Sequence, residues 1–198
     1  MRSCSAEKGD LNDFVARTAA YLANNLRYAM LPKILSAAAA LALSSHTLFA
    51  GALVEVDLDP ISHIDAELVI VGMDGAETTY SPADLEAFQT YSLTTTTPWR
   101  DEPAVFEGVL LRDVLDAGGL SEIDSIAVTA ENDYRTVIQR ALWETVDILV
   151  ATRVDGRPHS RRARGPIQFV IDHDEFNASG LTSESNLVWM AARIEAEG

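Results

Sequence analysis

The sequence predicts an α+β fold, a single mixed-sheet domain carrying short helices. Three observations lead there. β-Branched runs of five to seven residues recur along the chain, each closed by Gly, Pro, Asn or Asp. Short helical stretches lie among them with their own start and stop residues. The two kinds of element do not alternate at the even spacing of a parallel βαβ array.

Taken in order, Glu67–Gly72 reads as a strand running into a Met73-Asp74-Gly75 turn. Ser81 and Pro82 supply an N-cap and a first-turn proline, so a short helix starts before Asp84–Phe88. Tyr91–Thr97 has the threonine content of a strand and stops at Pro98. Val105–Leu110, interrupted by Gly108, reads as a strand or tight ribbon, and Leu111–Ala117 as a helix stopped by Gly118-Gly119. Ser125–Ala130 and Tyr134–Gln139 are strands around the turn residues Glu131-Asn132-Asp133. Ala141–Val146 is a helical turn, and Ile148–Val154 an apolar strand ending in Asp155-Gly156. Gln168–Asp172 is a further strand, followed by a polar loop to about Ser185. Trp189–Glu195 (WMAARIE) closes the chain as an edge strand. There is no internal repeat and no low-complexity tract.

The N-terminal region reads differently. Ile34 to Val54 is a stretch of 21 residues without Asp, Glu, Lys or Arg, preceded by Arg27 and Lys33 and ending near Ala50-Gly51-Ala52. This is the pattern of a secretory signal peptide over residues 30–52, cleaved after Ala52, and it implies a periplasmic or secreted protein. Its many small and polar residues favour a cleaved signal over a retained anchor. Met30-Leu31-Pro32-Lys33 reads as a natural start, which makes residues 1–29 a misassigned start or a disordered leader. The alternative is an N-terminal helix using Leu11, Phe14, Val15, Leu22 and Leu26. The folded domain is then 53–198.

Residues 53–198 hold ten basic residues, all arginine, against 27 acidic ones, a formal charge of −17. So acidic a domain argues against nucleic acid and anionic membrane as partners. Without lysine it has no Schiff-base or P-loop chemistry. The one cysteine, Cys4, lies upstream, so the domain has no thiol nucleophile, disulfide or thiolate metal ligand.

Arg153, Arg157, His159, Arg161, Arg162 and Arg164 fall within twelve residues, half of the domain's arginines against its overall charge. Guanidinium forks suit phosphate, sulfate or carboxylate, so an anion-binding loop is one reading and surface pairing with neighbouring acids the other. Asp172-His173-Asp174-Glu175 carries metal-ligand residue types but no known ligand spacing, and reads as a solvated loop. No Gly-x-Ser-x-Gly elbow is present, and His63, His159 and His173 stand in no recognisable triad. Asn177-Ala178-Ser179 matches a glycosylation sequon of low specificity. Trp99, Trp143 and Trp189 read as core or pocket-wall residues.

Several runs share one pattern: TTTTPW (Thr94–Trp99), FEGVLLRDVLDAGG (Phe106–Gly119), VTAENDY (Val128–Tyr134), LVATRVDGRPHSRRARGPIQFVI (Leu149–Ile171) and the terminal WMAARIE. In this order they resemble the oxidoreductase molybdopterin-binding domain, the sulfite oxidase fold, over Val69 to Glu195. Catalytic members ligate molybdenum through a cysteine after the threonine-rich strand. They hold the pterin phosphate with Arg, His and backbone donors near it and near the Gly-Pro loop. The resemblance implies a cleft made of Thr96, Thr97, Trp99 and Arg100, with Asn132, Tyr134, Arg157, His159, Arg161, Arg162 and Arg164. In that picture Arg161, Arg162 or Arg164 grips an anionic group and Trp99 supplies an apolar wall. Thr96–Trp99 contains no cysteine, so thiolate ligation as in that family is not possible. The Met30–Ala52 signal also lacks the Arg-Arg pair associated with export of folded, cofactor-loaded molybdenum enzymes.

The resulting expectation is a periplasmic domain of sulfite oxidase fold acting as a non-catalytic ligand-binding or interaction module. No cofactor is expected, molybdopterin being implied only by the resemblance. Two alternatives remain at this stage. One is a molybdopterin-dependent oxidoreductase without cysteine ligation, with Thr97 as the nearest hydroxyl. The other is an accessory partner of an envelope sensor or redox complex. A small anionic ligand or an envelope protein is the partner sought, with no nucleic acid and no membrane span after signal cleavage.

Overall fold

Ser81 shows how directly the local signals act. Its hydroxyl accepts from the Asp84 N–H at 3.2 Å while the Asp84 carboxylate accepts from the Ser81 N–H at 2.9 Å. This reciprocal cap starts helix α1 (Pro82–Leu85) where the sequence places it. The computed structural model describes residues 53–197. The leader read at 1–29 and the signal read at 30–52 lie outside the described residues. No helix of the described residues is long and apolar enough to cross a membrane.

Among the described residues eleven strands form two sheets, not the single sheet expected. The first is antiparallel throughout. It runs β1 (Val54–Glu55), β4 (Thr90–Thr95), β5 (Ala104–Leu110), β8 (Leu149–Val154) and β10 (Gln168–Val170), with β9 (Arg157–Pro158) folded back on β8. The second runs β3 (Glu77–Tyr80), β2 (Leu68–Val71), β11 (Ala191–Ala196), β6 (Ser125–Ala130) and β7 (Arg135–Gln139). In it β11 lies parallel to β2 and antiparallel to β6. The terminal strand is therefore central and not an edge. Arg193 and Glu195 pair with each other at 3.0 Å while Ile194 between them is fully buried. Charge on one face says nothing about neighbours in the plane of the sheet.

One core unites both sheets with helices α2 (Leu111–Ala117) and α3 (Arg140–Thr145). Val109, Val150 and Phe169 enter it from the first sheet, Ile70, Val128 and Ile194 from the second, and Val114, Leu115 and Trp143 from the helices. The first sheet also packs on its other face, where Leu93, Phe106, Leu149 and Val170 form a second cluster. Burial on both faces explains why β8 opens on the apolar run Leu149–Ala151 without alternation, and why the Thr152 and Arg153 that follow it are buried as well. Gly108 interrupts β5 at a register shift, where a Cβ would come within 2.1 Å of the Val150 carbonyl oxygen. Only a residue without a side chain fits there.

The segment read as a polar loop after Asp172 opens instead with helix α4 (His173–Ala178). The Asp172 carboxylate accepts from the Asp174 and Glu175 N–H groups at 3.0 and 3.1 Å. The metal-like residue run is thus a capped helix start and not a solvated loop. With almost no apolar periodicity in six residues, only the cap could have signalled it.

A buried ion pair fastens α1 to β8 and to the strap before β2. Arg153 donates to the Glu86 carboxylate from Nε at 2.8 Å and Nη2 at 2.5 Å, and its Nη2 also donates to the Asp59 carbonyl. Thr152 Oγ donates to Glu86 at 2.6 Å, and His63 Nε2 lies 3.0 Å from it. Burial works against the Glu86 carboxylate, yet the hydrogen bonds from Arg153, Thr152 and His63 hold its pKa below the ordinary value. Removing one partner strands a charge in a nearly water-free site. Arg153→Ala should therefore cost about 3–5 kcal/mol in urea unfolding, and a Glu86→Leu, Arg153→Met double variant should recover most of that loss.

Candidate functional site

β4 ends at Thr95, and in the strip that follows, Thr96–Arg100, Pro98 cannot donate to a ladder and the Arg100 N–H closes a turn on the Thr97 carbonyl at 2.9 Å. Two clefts adjoin this strip. The larger, about 380 Å³, is lined by Thr96, Thr97 and Arg100, with His173 and Asn177 from α4 and apolar Ile171 and Leu187. The smaller, about 280 Å³, is lined by Trp99, Asn132, Tyr134 and Trp189. Glu184 and Leu187 line both. Helix α4 stands beside the strip because the His173 N–H donates to Thr95 Oγ at 2.9 Å.

The smaller cleft is assembled from loops tied to one another through their backbones. The Met190 N–H donates to the Arg164 carbonyl at 3.2 Å, and the Glu131 N–H to the Met190 carbonyl at 2.8 Å. The Trp99 and Trp189 rings lie 6.2 Å apart, centroid to centroid, at 39°. The Arg164 guanidinium sits over both, 4.9 and 5.4 Å from their centroids. Its Nε is buried without a hydrogen-bond partner. Arg100 lies over the Phe106 ring at 5.8 Å. Neither Arg100 nor Arg164 has a carboxylate partner among the described residues.

The arginine run does not make one patch. The β8–β9 hairpin and the 3₁₀ turn Arg161–Ala163 aim its members in different directions. Arg153 is spent on Glu86. Arg161 forks onto Glu131 at 2.8 and 2.9 Å and reaches the Asp65 carbonyl. Arg157 and Arg162 are exposed and line neither cleft. Arg164 alone of the run touches the cleft walls.

His159 lies beneath the site with 2% of its surface exposed. Its Nε2 is 2.7 Å from Gln168 Oε1, and Phe106 meets its ring edge-on at 6.3 Å. Its Nδ1 is buried without a partner. Gly165 packs so tightly on it that a Cβ there would fall 2.5 Å from the imidazole. Burial, with the Arg100 charge adding, pushes the His159 pKa down, against the pull of Gln168.

The donor set does not fit a thiolate-ligated metal. Thr96–Trp99, the region where the resemblance requires a cysteine, contains none, and residues 53–197 contain no thiol. Among the described residues no group of three His, Cys, Asp or Glu side chains is placed to hold a metal ion. Sequence reasoning assigned Thr96, Thr97, Trp99, Arg100, Asn132 and Tyr134 to one cleft, and the structure divides them between two adjoining ones. It did not find Glu184, Leu187 or Asn177, and while it read Trp99 and Trp189 as core or pocket-wall residues it did not bring them together in one cleft. Asn177 arrives on α4, and Glu184, Leu187 and Trp189 on the 3₁₀ turn Glu184–Asn186 and the segment leading into β11, whose positions no local pattern encodes.

No protein-family model matches the chain, and no curated protein matches it in sequence. Among solved structures the chain is similar to the sulfane dehydrogenase SoxCD from Paracoccus pantotrophus, with a TM-score of 0.51 and 13% identity. The match covers 69% of this chain and 39% of that chain, so this chain spans well under half the length of its structural neighbour. At this identity the likeness is one of fold, a distant sulfite oxidase-like architecture with two sheets.

The buried imidazole gives stability a pH dependence. The unfolded chain takes up a proton near the ordinary value of 6.5, whereas the folded site resists it. Stability from this group is complete above that value and is lost as pH falls through and below it. Urea titrations between about pH 7 and pH 5 should show a weaker decline for His159→Gln than for the parent, the carboxylate contribution being common to both.

Proposed function

We propose that this sulfite oxidase-like domain is an exported, periplasmic binding module that holds a small anionic ligand in the cleft beside Arg100 and performs no chemistry on it. One observation carries the reading. Arg100 lines the larger cleft without a carboxylate partner among the described residues, in a domain where 27 acids outnumber ten arginines. Arg153 and Arg161, by contrast, are paired with Glu86 and Glu131. An unmatched guanidinium at the edge of a half-apolar cleft attracts an anion and offers it a bidentate fork.

The surrounding groups support this. The Thr96 and Thr97 hydroxyls, the Asn177 amide and the His173 ring are hydrogen-bonding groups of the same cleft, and Ile171 and Leu187 give it an apolar base. Asp101 and Glu184 also line it, so the ligand is small enough for its charge to stay on the Arg100 side. The missing thiol supports a binding role over redox catalysis. The signal-like segment at 30–52 supports export and a mature start at Leu53.

Thermal unfolding in millimolar sulfate or phosphate, against chloride at matched ionic strength, tests the reading. The parent should gain stability as the anion saturates the site, Arg100→Gln should lose that gain, and Arg157→Gln should keep it. Equal gains in all three would refute the site. Protein purified from its native host should contain neither molybdenum nor pterin, and near-stoichiometric molybdenum with a pterin would replace this proposal with an oxidoreductase.

A further inference from the structure

The smaller cleft has a chemistry of its own, independent of Arg100. Its walls are three aromatic rings, Trp99, Tyr134 and Trp189, over the buried side chain of Leu187. Tyr134 is 41% exposed and Trp189 36%, the two most exposed aromatic side chains among the described large hydrophobics. Large aromatic surface left in water and grouped at one place marks a binding surface. The rest of the lining is polar: Asn132, Ser185 and Glu184.

The backbone holds these rings in place. Four non-glycine residues among those described adopt a left-handed conformation, and three of them belong to this cluster. Asp133, at φ 64°, precedes Tyr134, and Met190, at φ 55°, follows Trp189. Arg164, at φ 77°, is the residue that rests on both indoles. Unfavourable backbone conformations persist where the surroundings fix them, and they gather at ligand sites.

Charge then narrows the ligand. A cation is disfavoured because the Arg164 guanidinium already holds a positive charge against both Trp99 and Trp189. An anion is disfavoured because the one charged side chain in the lining is the Glu184 carboxylate, which has no ion-pair partner among the described residues. A neutral ligand remains. The polar lining is matched to hydroxyl groups. Glu184 accepts, Ser185 and the Tyr134 phenol both donate and accept, and Asn132 keeps its amide nitrogen as a donor while its Oδ1 accepts from the Tyr134 N–H at 3.3 Å. A saturated ring with an apolar C–H face and a rim of hydroxyls uses every part of this surface: the face on the indoles, the rim on the polar groups. A volume of about 280 Å³ holds one such ring with room for the start of a second.

We propose that the Trp99–Tyr134–Trp189 cleft is a binding site for a neutral sugar ring of a glycan. Saturation-transfer NMR on the secreted protein, with N-acetylglucosamine, cellobiose and maltose as probes, tests it. At least one sugar should receive saturation on its ring C–H protons. Calorimetry should show its affinity falling about tenfold or more in Trp189→Ala and Tyr134→Ala. Arg100→Gln should bind it unchanged, so this site and the anion site can fail separately. The exposed positions of Trp189 and Tyr134 leave both variants folded, which circular dichroism verifies. Saturation of no sugar would overturn the proposal. So would binding that survives both aromatic substitutions. Tetramethylammonium or a polyproline peptide binding in place of the sugars would also overturn it, and would assign the cleft to a cation or to an extended protein segment.

Discussion

The pairing of β11 between β2 and β6 is the constraint on which the arrangement depends. It joins the last residues of the chain to a strand over a hundred positions earlier, in parallel, and to the β6–β7 hairpin on the other side. Without it the second sheet would be two separate hairpins, neither able to bury its apolar face alone. The same strand fixes the loop before it. The Ala191 N–H donates to the Ile167 carbonyl and the Phe169 N–H to the Val188 carbonyl, which lash the second sheet to the end of the first. Trp189 and Met190 occupy that junction, so the wall that Trp189 gives the smaller cleft depends on the docking of the two sheets.

Electrostatics follows from the same geometry. Several of the few cations in this acidic domain tie its elements together. Arg153 locks a buried carboxylate, Arg161 clamps the β6–β7 turn to the strap before β2, and Arg193 bridges Glu77 and Glu195 across the second sheet. Arg100 and Arg164 differ in being held against aromatic rings instead of carboxylates. A guanidinium on a ring is not consumed by a carboxylate, so Arg100, which also lines the larger cleft, remains available to a ligand where the paired arginines do not, while Arg164, its Nε buried, braces the two indoles. Both arginines lie beside the same short strip, one adjoining each cleft.

The fold-level likeness to a sulfane dehydrogenase and the missing thiol are consistent with each other once fold and site are kept apart. A two-sheet framework with loops gathered at one end supports whatever chemistry those loops carry. Here the strip after β4 carries threonine, proline and tryptophan where the resembling family places a metal-ligating cysteine. The Gly108 close contact, the Gly165 packing on His159 and the core common to both sheets belong to this framework and not to the clefts.

Much of this was legible in the residues themselves. The Ser81–Asp84 cap, the Gly118-Gly119 stop, the turn at Glu131–Asp133 and the apolar run of β8 each encode an element through forces acting over a few residues, and those elements stand where the sequence put them. The absence of lysine and thiol chemistry from the domain is likewise a matter of composition. Helix α4 was missed because its one signal, the Asp172 cap, stood in a run without apolar periodicity. The division into two sheets, the central place of β11 and the dispersal of the arginine run were beyond local reading. Each depends on which distant strand offers a hydrogen-bonding edge and which carboxylate lies within reach of a given guanidinium. Residue types and their spacing determined the pieces and the chemistry they lack. Only the tertiary structure decided which rings and cations meet, because pairing across a hundred residues is chosen by the burial of the whole core and not by any segment within it.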